Sequence, residues 1–304
     1  MRIEVYRMIF MHLPIAILEG KKIQRVIFSI DPPSPTLQNT YFLMEKVYQR
    51  GSWCFNLSTA RHVESFQRLR ERVEDETLIG FGHIEAGSGV SLMGKPIHQF
   101  ESKVASTIAR NIVPKDLMRR LFPNPPLGDV LTQKEIDRMR FDPSRFSQAL
   151  SLYSSKEVPF LRIGGKYSDW LLGLGRVDLL REMVAETKRK NFIPIFSGQW
   201  ATFVLPKAKS LDVAGYATPV NKRKSLFDLT LASDIIKKFD RPIISLDPLS
   251  KGRLLKKSEE ALSFLFNELK IHSAIIEVAS EDQIEVLWRV LEKIPSLIPF
   301  RKTG

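Results

Sequence analysis

The sequence predicts an α/β fold: a (β/α)8 TIM barrel with an N-terminal β-hairpin and a helical insertion after strand three. Three observations lead there. Short apolar runs rich in β-branched residues recur along the 304-residue chain, as in parallel strands buried on both faces. Amphipathic helix patterns alternate with them. The runs number eight, which argues for closure into a barrel rather than an open sheet.

Residues 16–30 hold two apolar runs around Glu19-Gly20-Lys21-Lys22, a hairpin turn with Gly20 where φ is positive. The second run becomes the first barrel strand, about 25–30. Asp31-Pro32-Pro33-Ser34-Pro35 continues neither a strand nor a helix interior, so it is a loop. A helix over 39–50 stops at Gly51. Strand two covers 52–57, and the helix at 59–73 carries Val63, Phe66 and Leu69 on one face. Strand three covers 78–84. After the insertion come a helix at 143–153, strand four at 158–163 and a helix at 179–190. Strands five to eight follow at 192–197, 211–217, 242–246 and 273–278.

The chain reads as one domain over 1–304, interrupted by an insertion at 86–141. The insertion opens with Gly87, Gly89 and Gly94. Its helix-like stretches, around 99–111 and 131–139, flank Phe122-Pro123-Asn124-Pro125-Pro126. It leaves the C-terminal end of a strand, so it is expected over the barrel mouth, as a functional lid or as a packing or dimer element.

The hydrophobic fraction of 43% is that of a soluble globular protein. No apolar run reaches the ~18 residues of a membrane helix, and the apolar stretch at 8–18 reads as folded structure rather than a signal peptide. Cys54 is the only cysteine, which excludes an internal disulfide and a cysteine zinc cluster; a cytoplasmic protein is the simplest reading. The net charge is +12, and 207–257 carries twelve Lys/Arg against five Asp/Glu. This fits a solvated, lysine-rich surface of the heat-stable kind or a site for an anionic ligand. No zinc-finger spacing or RNP-type motif supports a nucleic-acid partner. The sequence does not indicate an oligomeric state.

Four segments, in chain order, resemble the aldo-keto reductases. Ile17-Leu18-Glu19-Gly20-Lys21-Lys22-Ile23-Gln24-Arg25-Val26 resembles that family's N-terminal hairpin. Asp142-Pro143-Ser144-Arg145-Phe146-Ser147-Gln148-Ala149-Leu150 resembles the helix before its fourth strand. Asp247-Pro248-Leu249-Ser250-Lys251-Gly252-Arg253-Leu254 resembles its Ser-Pro-Leu-x-x-Gly-x-Leu loop after strand seven. Ala279-Ser280-Glu281-Asp282-Gln283-Ile284 resembles its strand-eight loop. The resemblance implies the barrel fold and NAD(P)H-dependent carbonyl reduction by a tyrosine acid with aspartate, lysine and histidine partners. At those positions the chain reads Arg61, Asn56, Gly82 or His83, and Gly164. At the family's cofactor positions it reads Gly198-Gln199, Gly215, Leu246 and Asp247, with Glu277 ending strand eight. What carries over is the fold; NAD(P) is the cofactor the resemblance implies, over an altered site.

Active sites of this fold lie at the C-terminal ends of the strands. His83 and Glu85, two apart on a strand, can point the same way and are the catalytic candidates: an oriented base, or two metal ligands, with a hydrogen-bonded structural pair as the alternative. No further histidine stands at ligand spacing, so no metal site is assigned. Arg61, Lys222, Arg223, Ser250, Lys251, Gly252, Arg253 and Ser280 come from loops at the same mouth and are the anion-binding candidates. The expected function is binding of a small anionic or phosphorylated molecule by a divergent enzyme. The alternatives are a non-catalytic binding or assembly protein and an NAD(P)-dependent oxidoreductase with an altered active site.

Overall fold

The structure is a computed structural model and describes residues 13–111, 128–222 and 229–295. The hairpin pairs Ile15–Leu18 with Lys21–Gln24, antiparallel. Glu19 and Gly20 form its turn with φ of 47° and 76°, the left-handed pair whose twist suits two flanking strands. Ala16, Leu18 and Ile23 of the hairpin are buried in one cluster with Ile27, Cys54, Phe81, Phe160, Ile195, Ala217, Ile244 and Ile275. Each of those partners lies on a barrel strand, so the hairpin plugs the base of the barrel from below.

The barrel strands are Val26–Ile30, Cys54–Leu57, Ile79–Glu85, Phe160–Gly164, Ile193–Ser197, Gly215–Pro219, Ile243–Leu246 and Ser273–Val278. Every neighbouring pair is parallel, and the eighth strand closes on the first. Residues alternate between the interior and the helix layer. Outside, Phe28 stacks on Trp288 at 5.1 Å and Phe55 meets Phe66 edge-on. Burying each such ring stabilises the fold by roughly 1.5–3 kcal/mol. The helices start as their caps dictate: Thr36 and Thr59 each accept a backbone N–H from the first turn of Leu37–Gln49 and Ala60–Val73.

Two expectations change in detail. Strand six begins at Gly215, not near 211. Leu211 and Val213 are buried, but in the connection leading to the strand, and an apolar run alone does not separate the two. The insertion is also less helical than its pattern suggests. Helix Glu101–Asn111 is present, but only Gln133–Ile136 of the second stretch is helical. Met139–Phe141 instead pairs antiparallel with Val90–Leu92, which also pairs with Lys95–Pro96. The insertion touches the barrel where strand four ends: Lys166 Nζ and Tyr167 Oη donate to Glu101 at 2.6 and 2.9 Å. A side chain at Gly87 would collide with the Tyr167 ring at 2.7 Å, so this close approach requires glycine. No helix among the described residues is long and apolar enough to cross a membrane.

Arg25, 1% exposed, locks the base. Its guanidinium donates to the carbonyls of His272 (3.2 Å), Ile271 (2.8 Å) and Pro295 (2.7 Å) and lies 4.4 Å from the Phe266 ring centroid. Arg25→Ala orphans three acceptors and leaves a cavity, so an expected loss of about 3–5 kcal/mol follows, read from the urea midpoint. A loss below about 1 kcal/mol would show that the lock carries little.

Candidate functional site

The chemistry at the barrel mouth follows from the register of strands three and four. Phe81 pairs with Phe160, His83 with Arg162, and Glu85 with Gly164. All six residues share the inward parity. The two phenylalanines stack at 4.6 Å and form an apolar floor. One level up, an imidazole faces a guanidinium. Above them stands a carboxylate, with only glycine opposite it.

Arg162 continues across the barrel through a hydrogen-bonded chain. Its Nη2 donates to Asn56 Oδ1 at 2.7 Å, Asn56 Nδ2 donates to Ser29 Oγ at 3.0 Å, and the Ser29 hydroxyl reaches Asp31 Oδ2 at 3.5 Å. A guanidinium only donates, so the amide of Asn56 must turn its oxygen toward it. Arg162 is 6% exposed. It has no ion-pair partner among the described residues, and its Nε lacks any hydrogen bond. Burial pulls its pKa down to about 10, which still leaves it charged at neutral pH.

His83 lies beside this charge. Its Nε2 is 3.8 Å from Glu85 Oε1, and its buried Nδ1 has no hydrogen-bond partner among the described residues. Its backbone N–H donates to Tyr153 Oη at 3.2 Å, which fixes the strand edge behind it. Burial lowers the His83 pKa, Glu85 partly restores it and Arg162 lowers it further. The imidazole is therefore neutral at pH 7. Glu85 is half exposed and its carboxylate lies against Gly165, where a side chain would meet Oε1 at 2.2 Å. The φ of +88° at Gly165 also favours glycine.

Asp169 follows on helix Lys166–Gly173. Its two oxygens accept the Gln199 N–H at 3.1 and 2.9 Å, which ties the strand-five loop to the strand-four loop. Burial, with a contribution from the charge of Glu85, pushes its pKa up to about 8.

On the far side, Glu277 pairs in register with Ser29 and shares the inward parity of Ile275. Burial raises its pKa first, then the charges of Asp247 and Asp31, against an opposing effect of Lys251. Asp31 itself is held below the usual carboxylate range by His62 and Arg61.

The candidates from the sequence fall into two groups. His83 and Glu85 come together as expected. Of the anion-binding candidates, Arg61 and Lys222 have side-chain partners within the protein. Arg61 donates to the Pro35 carbonyl at 2.7 Å and to Asp31 at 3.3 Å. Lys222 pairs with Glu260 at 2.6 Å, and Arg223 lies outside the described residues. In the loop after strand seven, Asp247, Ser250, Lys251 and Gly252 all have positive φ, and the loop's amides turn inward. Lys251 N–H donates to the Asp247 carboxylate, Ser250 N–H to the Asp247 carbonyl and Arg253 N–H to the Ser250 carbonyl. Ser280 caps helix Glu281–Leu291 by accepting from Gln283 N, while Gln283 Oε1 accepts from Ala279 N. Glu281 and Asp282 occupy that helix's first turn. The backbone amides of Ser250, Lys251 and Arg253 are thus used within the loop, and the helix after strand eight begins with acids. No three His, Cys, Asp or Glu side chains among the described residues are grouped to hold a metal.

Arg162 escaped the sequence reading. Its signal was one charge inside the apolar run Phe160-Leu161-Arg162-Ile163-Gly164, at an inward position of a strand buried on both faces.

Asp169 gives a pH test. Its proton is bound more tightly in the folded state than at the ordinary value of 3.8. It thus contributes stability at low pH that is lost as pH rises from 3.8 through about 8. His83 has the opposite sign and acts below 6.5. Calorimetry of the parent is expected to show a decline in Tm as pH rises from about 6.5 to 8, and Asp169→Asn to remove it. Parallel curves would show that Asp169 is already ionised in the fold.

No model of a known protein family matches the chain, and no curated protein matches it. Solved structures do. The aldo-keto reductase AKR11C1 of Bacillus halodurans, in its holo form, superposes with a TM-score of 0.57 at 11% identity, over 94% of this chain and 93% of that one. A putative aldo-keto reductase of Pseudomonas aeruginosa gives 0.53 at 12%, over 94% and 96%. Bombyx mori aldo-keto reductase AKR2E4, in complex with NADP, gives 0.50 at 8%, over 94% and 89%. The chain therefore has the closed barrel fold of the aldo-keto reductases, on a sequence far diverged from theirs.

Proposed function

We propose that the protein binds a small carboxylate-bearing molecule in the C-terminal mouth of its barrel, anchored by Arg162. One observation carries this reading: a guanidinium 6% exposed, charged at neutral pH and without a counter-ion among the described residues. A buried charge that lacks a partner is costly, and a bidentate carboxylate is the ligand that matches the guanidinium fork. The aldo-keto reductase position that would hold an aspartate is Asn56, whose neutral amide leaves the charge of Arg162 unspent.

His83 extends the proposal to catalysis. A neutral imidazole beside the anchor is placed to take a proton from the bound molecule at Nε2, with Glu85 stabilising the imidazolium that forms. The non-catalytic reading keeps the Arg162 anchor and makes His83 dispensable. The NAD(P) reading needs a pyrophosphate where Asp247 and the first turn of Glu281–Leu291 place acids.

Thermal unfolding with malonate, phosphate or NADPH tests the anchor. Malonate is expected to raise the Tm of the parent protein, and Arg162→Met to abolish that rise without lowering the protein's own Tm, because an unpaired buried charge has been removed. A malonate effect that survives in Arg162→Met, or saturable NADPH binding in the range of about 1–10 μM, would overturn the reading. Asn56→Asp places a carboxylate on Arg162 and is expected to weaken malonate binding by about tenfold or more. Unchanged affinity would show that the anion binds elsewhere.

A further inference from the structure

The charges around Arg162 narrow the ligand class. Arg61 neutralises Asp31 at 3.3 Å. Among the described residues, Arg162 then shares the mouth with Lys251 and with the three carboxylates of Glu85, Asp247 and Glu277. A ligand that brings only negative charge to Arg162 gains nothing from those carboxylates. One that also carries a cation meets the carboxylates that crowd Glu277 and the half-exposed Glu85.

Geometry supports a short separation between the two charges. Glu85 lies one inward position above the His83–Arg162 pair, a step of about 6–7 Å along the strand. It makes no ion pair with Arg162, yet its charge acts on the guanidinium. A carboxylate and an ammonium separated by one carbon bridge such a gap, the first group on Arg162 and the second under the acids. The inward residues that end the next three strands are uncharged. Strands five, six and seven end inward in Ser197, Pro219 and Leu246, at the parity of Ile195, Ala217 and Ile244. An apolar substituent would lie there.

From this juxtaposition we infer that the mouth takes an α-amino acid, or a close aminocarboxylate, with an apolar side chain. The carboxylate sits on Arg162, and the ammonium sits between Glu85 and Glu277. The inference rests on the carboxylate reading above and adds the ammonium and the side chain to it.

Isothermal titration of the full chain with L-leucine and with 4-methylpentanoate, which is leucine without its amine, separates the two. Leucine is expected to bind at least about tenfold more tightly, a difference of about 1.4 kcal/mol. Glu277→Gln and Glu85→Gln, made singly, are each expected to cut that preference to about threefold or less while 4-methylpentanoate binding persists. Arg162→Met is expected to lose both ligands. Circular dichroism melting of each variant confirms folding, and the two glutamine variants stand in for one another should either unfold. Equal affinities for the two ligands would overturn the zwitterion and leave the carboxylate anchor intact. A preference for leucine that persists in both glutamine variants would overturn the placement of the ammonium. No heat from either ligand up to about 10 mM would overturn both readings.

Discussion

The rest of the site depends on the register between barrel strands three and four. Because Phe81 meets Phe160, His83 meets Arg162 and Glu85 meets Gly164, the mouth is layered from apolar floor to polar rim. A slip of strand four by one residue would turn Phe160 and Arg162 toward the helices and strand a guanidinium in the hydrophobic layer. The register is held from outside the pair as well. Tyr153 accepts the His83 amide and lies 2.8 Å from the Leu57 carbonyl, so one hydroxyl joins strand three to strand two.

Much of the fold was legible in the chain because its signals are local. The hairpin announced itself through Glu19-Gly20 between apolar runs, and the helix starts through Thr36 and Thr59. The insertion was harder to read. Met139 and Leu92 pair across a small sheet from positions 47 residues apart, and no window of sequence contains both. The misplaced start of strand six has a similar origin, since buried connections are as apolar as strands.

The site divides in the same way. His83 and Glu85 share one strand, so their parity could be counted. The Asn56–Arg162 contact spans 106 residues and crosses strand three, and becomes visible only once the barrel closes. The basic loops gave the opposite lesson. Their charge is plain in the sequence, but Lys222 is matched by Glu260 and the strand-seven loop turns its amides onto Asp247. Local charge excess identified cations; it did not identify which of them lacks a partner.

The lock at the base constrains how the barrel assembles. Arg25 lies at the entrance to the first strand, but the carbonyls it binds are 246, 247 and 270 residues further along the chain. During synthesis the first strand waits without its eighth-strand neighbour and without acceptors for its guanidinium. The hairpin side chains Leu18 and Ile23 wait with it, since most of the interior they plug comes later in the chain. Closure is thus a late, high-contact-order event, of the kind that folds slowly and leaves open strand edges exposed in the meantime.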